Sequence, residues 1–182
     1  MTRPQSRFFL SILAAVALTG LAATPAAAQR DPTVSRALPR SGGDAEAPTR
    51  LSIRVGDREY TFSGNARCVH APRAALFDKP AKNWTVQVAP GTRGGLRSFA
   101  LTIWRFDDAA ARQGFSLDVE VGSTSHRIST LAGDPGQGRG EATLVARGAG
   151  GQIEVTGRTG NGTPIRATID CARFAAPYAV GG

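Results

Sequence analysis

The sequence predicts an all-β fold: an antiparallel β-sandwich of about eight or nine short strands, with a partly open β-barrel as the alternative. Two observations predict it. Apolar and polar residues alternate with period two. The clearest run is Phe115, Leu117, Val119 and Val121 set against Ser116, Asp118 and Glu120. Successive side chains on a strand point to opposite faces, so the first set buries together and the second faces water. Glycine-bearing turn signals then recur at short intervals, at Gly56-Asp57-Arg58, Gly122-Ser123, Gly148 to Gly151 and Gly160-Asn161-Gly162. Connections this short join antiparallel strands, because a parallel crossover needs about a dozen residues or more.

The first 28 residues read as a signal peptide. Arg3 and Arg7 form a basic start, Phe8 to Leu21 an apolar core, and Ala26-Ala27-Ala28 a small-residue cleavage site with Gln29 as the mature start. The core is short for a membrane span and Pro25 follows it. No later segment is apolar enough to cross a bilayer. Cleavage leaves about 154 residues, enough for one core, and lowers the formal charge from +8 to +6. The protein is expected to be periplasmic or secreted. Residues 29–49 are rich in Arg, Pro, Gly and Ala and are expected to be a flexible arm, with one β domain over 50–174 and a flexible tail over 175–182.

Within the domain, Leu51, Ile53 and Val55 alternate with Ser52 and Arg54 in a first strand. Tyr60 and Phe62 mark a second, interrupted at Gly64-Asn65 before Cys68. Ala71 to Asn83 reads as irregular, with Pro72 and Pro80 limiting any helix to Ala74–Phe77. Trp84, Val86 and Val88 form a strand. In the next one Phe99, Leu101 and Ile103 alternate with Ala100, Thr102 and Trp104, so it is covered on both faces or reaches a loop or partner through Trp104. A short helix is expected over Asp107–Gln113, ended by Gly114. Ile128 carries the apolar pattern onward, and residues 133–140 read as a glycine-rich loop. That loop lacks the Lys-Ser/Thr ending of a phosphate-binding loop. Ala142, Leu144 and Ala146, then Ile153 and Val155, then Ile165, Ala167, Ile169 and Cys171 mark the last strands. Phe174 is expected to seal an end of the core.

Cys68 and Cys171 are the chain's two cysteines, and in an exported protein an even pair reads as a disulfide. Two isolated sulfurs without partner ligands argue against a metal site. With the cysteines placed, LSIRVGDREYTFSGNARC, GQGRGEATLVARGAGGQIEVTG and TIDC resemble the mycobacterial small lipoprotein antigens over about residues 50 to 172. The resemblance implies a strand-Gly-strand opening, here Gly64 to Cys68, joined by a disulfide to the Cys closing the last strand, here Cys171. It also implies a surface or envelope protein without an established catalytic site. The lipobox cysteine of those proteins is absent, so lipid anchoring is not carried over.

Catalytic chemistry finds little support. The histidines are His70 and His126, and neither has a spacing to Ser123, Ser125, Ser129 or an Asp that marks a hydrolase; no G-x-S-x-G is present. Asp118 and Glu120 share one strand face and read as solvated. No catalytic, cofactor or metal residue is assigned. Trp104, Arg127 and Arg166 are the candidate surface residues, with Arg54, Arg147 and Arg158 able to complete a cationic face. The expected function is an exported, non-enzymatic, envelope-associated binding or interaction protein of unknown ligand. Its partners would be envelope components or polyanions met through arginine, without nucleic-acid specificity. A carrier of a small apolar ligand, or a periplasmic hydrolase using His70 or His126, are the alternatives.

Overall fold

The structure, a computed structural model, describes residues 45–89, 95–107, 113–131 and 138–177. The signal segment lies outside them, as do most of the arm and residues 108–112 of the expected helix; its ends Asp107 and Gln113 are not helical. Nine strands follow: β1 (Glu46–Val55), β2 (Arg58–Leu76), β3 (Lys79–Val88), β4 (Leu96–Phe106), β5 (Gly114–Val121), β6 (Thr124–Ser129), β7 (Arg139–Arg147), β8 (Gly150–Arg158) and β9 (Pro164–Cys171). They form one sheet in the order β6-β5-β4-β3-β2-β1-β9-β8-β7, antiparallel at every ladder. The all-β, antiparallel expectation holds, in its nearly closed, barrel-like form.

The period-two pattern decides which face is inside. Leu51 and Ile53 of β1, Val86 of β3, Phe99, Leu101 and Ile103 of β4, Leu117 of β5, Ile128 of β6, Ile153 of β8 and Ile165 and Ile169 of β9 are all at most 2 % exposed and belong to one apolar cluster. Each fully buried aliphatic or aromatic side chain contributes roughly 1.5–3 kcal/mol. Cys68 and Cys171 lie in the same cluster and are bonded, with Cα atoms 6.4 Å apart and a sequence separation of 103. The bridge reaches past β1, which lies between β2 and β9, and Thr49 of β1 places its hydroxyl 3.4 Å from the Cys68 sulfur. Phe174 packs against the cluster at this end.

Strand parity explains why the sheet does not close. With every ladder antiparallel, alternate positions in the order run the same way, so an odd number of strands leaves the two edges, β6 and β7, pointing in the same direction. The connection between them must therefore return along the length of a strand. No ladder joins β6 to β7. Side chains seal the seam instead. Arg105 of β4 donates to the Leu144 carbonyl of β7 at 3.0 Å, and Gln113 donates to the Ala142 carbonyl at 2.8 Å. Inside, Ile128 of β6 packs over bare Gly157 of β8, where a Cβ would lie 2.8 Å from the Ile128 Cδ1.

Several boundaries differ from the sequence reading. β1 begins at Glu46, before the expected domain start at 50, because Pro48 and Ala47 pair with Asn65 and Ala66. Gly64-Asn65 does not interrupt β2; the Phe62 ring lies over Gly64, so the missing side chain leaves room for an aromatic within a continuous strand. Ala175 is not part of a frayed tail. Its N–H donates to Cys68 and its carbonyl accepts from His70, filling the edge of β2 that β1 leaves open beyond Arg67. The largest difference is at Ala71 to Asn83, which is a hairpin rather than an irregular or helical stretch. Pro72 falls at the register shift between Ala71 and Ala74, and the ladder resumes through Ala75↔Pro80 to Leu76↔Lys79.

Four two-residue hairpins are described. Three place glycine at the first central position with positive φ, at Gly56, Gly122 and Gly148, as such turns favour. The fourth places Phe77 (φ 51°) there, and its second central residue, Asp78 (φ 60°), also has positive φ. Positive φ costs an ordinary L-residue about 1–2 kcal/mol, and Phe77 is 65 % exposed, so burial in this chain does not offset it. Asn accepts this conformation, so Phe77→Asn should stabilise the fold by about 1 kcal/mol. A thermal melt should show a rise of about 3–5 °C, and an unchanged or lower midpoint would contradict the strain. Replacing both cysteines by Ser should cost about 4–5 kcal/mol for a loop of this length. Thiol counting on the denatured, unreduced protein should find no free thiol, and two per chain would refute the bridge.

Candidate functional site

The outer faces of β1, β9, β8 and β7 carry an arrangement that the ladder register imposes. Arg54 of β1 stands directly opposite Arg166 of β9, and Arg158 of β8 directly opposite Arg139 of β7. Like charges in such positions repel and destabilise the sheet. Two of the four find local relief. Arg54 lies 3.5 Å from Glu59, and Arg158 donates to the Gly162 carbonyl at 3.1 Å. Arg139 and Arg166 have no hydrogen-bond or ion-pair partner among the described residues. Both line a groove of about 310 Å³ whose other walls include Arg158, Thr156 and Pro164, with Gly140 and Gly157 leaving it open. Glu141 is the acid on its rim among the described residues. The groove is therefore lined by three arginines, the residue type that binds anionic oxygens in a bidentate fork.

A second cluster lies toward the β2–β3 hairpin. His70 stands opposite Trp84 in the β2/β3 register, and the rings stack with centroids 4.4 Å apart and planes 6° from parallel. From β4, the Arg105 guanidinium sits 5.3 Å from the Trp84 ring centroid. Trp84 is 8 % exposed, so it serves the core rather than offering a stacking platform. The His70 Nε2 is buried without a hydrogen-bond partner among the described residues. Burial, and then the positive Lys82, lower the His70 pKa from its ordinary value.

The expected surface residues separate. Arg166 lies in the arginine groove. Arg127 of β6 is far around the sheet and pairs with Asp118 directly opposite it, at 3.5 Å. Trp104 faces outward on β4, half-buried, between Asn83 and Gly114 in the register; a Cβ at Gly114 would strike Leu131. Glu120 lies 3.6 Å from Arg97, so the acidic face of β5 is matched by cations. His70 and His126 sit on β2 and β6 with three strands between them, and Ser125 next to His126 points to the opposite face. No group of three or more His, Cys, Asp or Glu able to hold a metal occurs among the described residues. Arg139, which completes the groove, lies in the segment read from sequence as a loop; the alternating Arg139-Gly-Glu-Ala-Thr-Leu pattern was the available signal.

Because His70 is held toward its neutral form, the unfolded chain takes up the proton more readily. This contribution to stability is full above about pH 6.5 and is lost as pH falls through the folded value. The wild-type melting temperature should fall more between about pH 7 and pH 5 than that of His70→Gln; identical slopes would show that His70 is not the group responsible. Comparison of the whole chain with the profiles of known families, with curated proteins and with solved structures finds no match in any of the three.

Proposed function

We propose that this is an exported, non-enzymatic binding module of the cell envelope that holds anionic polymers against the arginine face of β1, β9, β8 and β7. The observation that carries the reading is the groove lined by Arg139, Arg158 and Arg166, two of which, Arg139 and Arg158, stand directly opposite each other, with Arg54 opposite Arg166 beside it. Repulsion within the free sheet is relieved when an anion sits between the pairs, so binding and local stability are linked. The packed apolar interior favours a surface ligand over an enclosed one. The separation of the histidines, and the matching of Asp118 and Glu120 by arginines, favour binding over hydrolysis. The resemblance to small envelope antigens points to the same class.

Fluorescence anisotropy with labelled linear polyphosphate tests the reading. The wild type should bind it, and binding should weaken steeply with salt. Arg139→Ser/Arg166→Ser should bind about tenfold more weakly, with the log–log salt slope reduced by about two, one per lost phosphate contact. Equal binding by the double variant, or binding unaffected at about 1 M salt, would overturn it.

A further inference from the structure

We infer that the β2–β3 hairpin is an interfacial anchor that inserts Phe77 into the surface of an anionic lipid bilayer. The hairpin stands clear of its neighbours. β1 leaves β2 at Arg67, and β4 reaches only as far as Pro80, whose carbonyl accepts from the Asp107 N–H, so Leu76 and Lys79 pair only with each other. At the tip is Phe77, 65 % exposed, at the positive-φ turn position that the three other two-residue hairpins fill with glycine. A glycine or asparagine would make the same turn with less strain, so the fold itself gives no reason for an aromatic there. Strain of this kind, kept at an exposed tip, marks a contact made outside the chain.

The surroundings indicate the chemistry of that contact. The sequence contains two lysines, and both, Lys79 and Lys82, lie on this hairpin. Arg73 is exposed at its bulge. Lys82 lies 3.9 Å from Asp107, whereas Arg73 and Lys79 have no ion-pair partner among the described residues. Asp78 is the acid within the tip. A single aromatic with a collar of cations offers no contiguous apolar patch for a protein partner to cover. It matches a bilayer interface, where a ring enters between headgroups and the cations meet anionic phosphates without any requirement for shape. The hairpin lies at the end of the sheet opposite the β1–β2 turn, near which the four arginines cluster, so the two contacts are independent.

Co-sedimentation with vesicles of phosphatidylglycerol and phosphatidylcholine, beside vesicles of phosphatidylcholine alone, tests the inference. The wild type should bind the mixed vesicles reversibly and the neutral ones poorly. Phe77→Asn should melt no lower than wild type yet partition about tenfold less. It should bind polyphosphate as wild type does, whereas Arg139→Ser/Arg166→Ser should keep most vesicle binding. The Phe77→Trp variant should bind, and its emission should shift to shorter wavelength on adding mixed vesicles. The inference is overturned if the wild type ignores the vesicles, if Phe77→Asn partitions like wild type, or if the Phe77→Trp emission does not move. Protection of the hairpin by a protein partner without vesicle binding would also overturn it, by assigning the tip to a protein.

Discussion

An odd number of antiparallel strands cannot form a closed ring of antiparallel ladders, and the rest of this structure depends on that constraint. β6 and β7 are left facing each other in the same direction, with one unpaired edge apiece. Open edges of this kind invite pairing with other chains. Here Arg105 and Gln113 cap two carbonyls of the β7 edge, and Ile128 reaches across to Gly157 on the inside. Arg105 also lies against Trp84, which stacks on His70. The seam, the aromatic stack and the base of the β2–β3 hairpin are thus one connected assembly.

The sequence made the parts governed by local rules legible. Alternation exposed the inward faces of β1, β4, β5 and β9, and the Gly-led turns at Gly56, Gly122 and Gly148 were visible because two-residue hairpins favour positive φ at that position. The same rule hid the β2–β3 hairpin. Phe77-Asp78 contains no glycine, and Pro72 and Pro80 resembled helix and strand breakers. In the structure a bulge accommodates the first and the hairpin's free end the second. The arginine face was legible only as a list of outward residues. Arg54 meets Arg166 through pairing between the first strand and the last, and no local pattern sets that register. The place of Trp84 in a strand was legible from alternation; its stack on His70 and its contact with Arg105 depend on neighbouring strands and were not.

The two surface features differ in how they trade stability for contact. On the arginine face the unfavourable term is Coulombic, long in range and weakened by salt. At Phe77 it is conformational, confined to one residue and indifferent to salt. Both are carried by side chains that face solvent rather than the apolar cluster, so each tolerates a local penalty that the core would not.

The Cys68–Cys171 bridge has a mechanical meaning as well as a thermodynamic one. Glu46 and Ala175 lie at the same end of the sheet, with Arg173 donating to the Glu46 carbonyl and Ala175 bonded to Cys68. Tension applied to the chain on either side of the domain would run along β1 and the first half of β2, cross the sulfur–sulfur bond, and leave through the residues after Cys171. The chain between the two cysteines would bear none of it. β3 to β8, the seam, the hairpin and most of the arginine face are thereby shielded from load. Under reducing conditions the same pull would reach every strand.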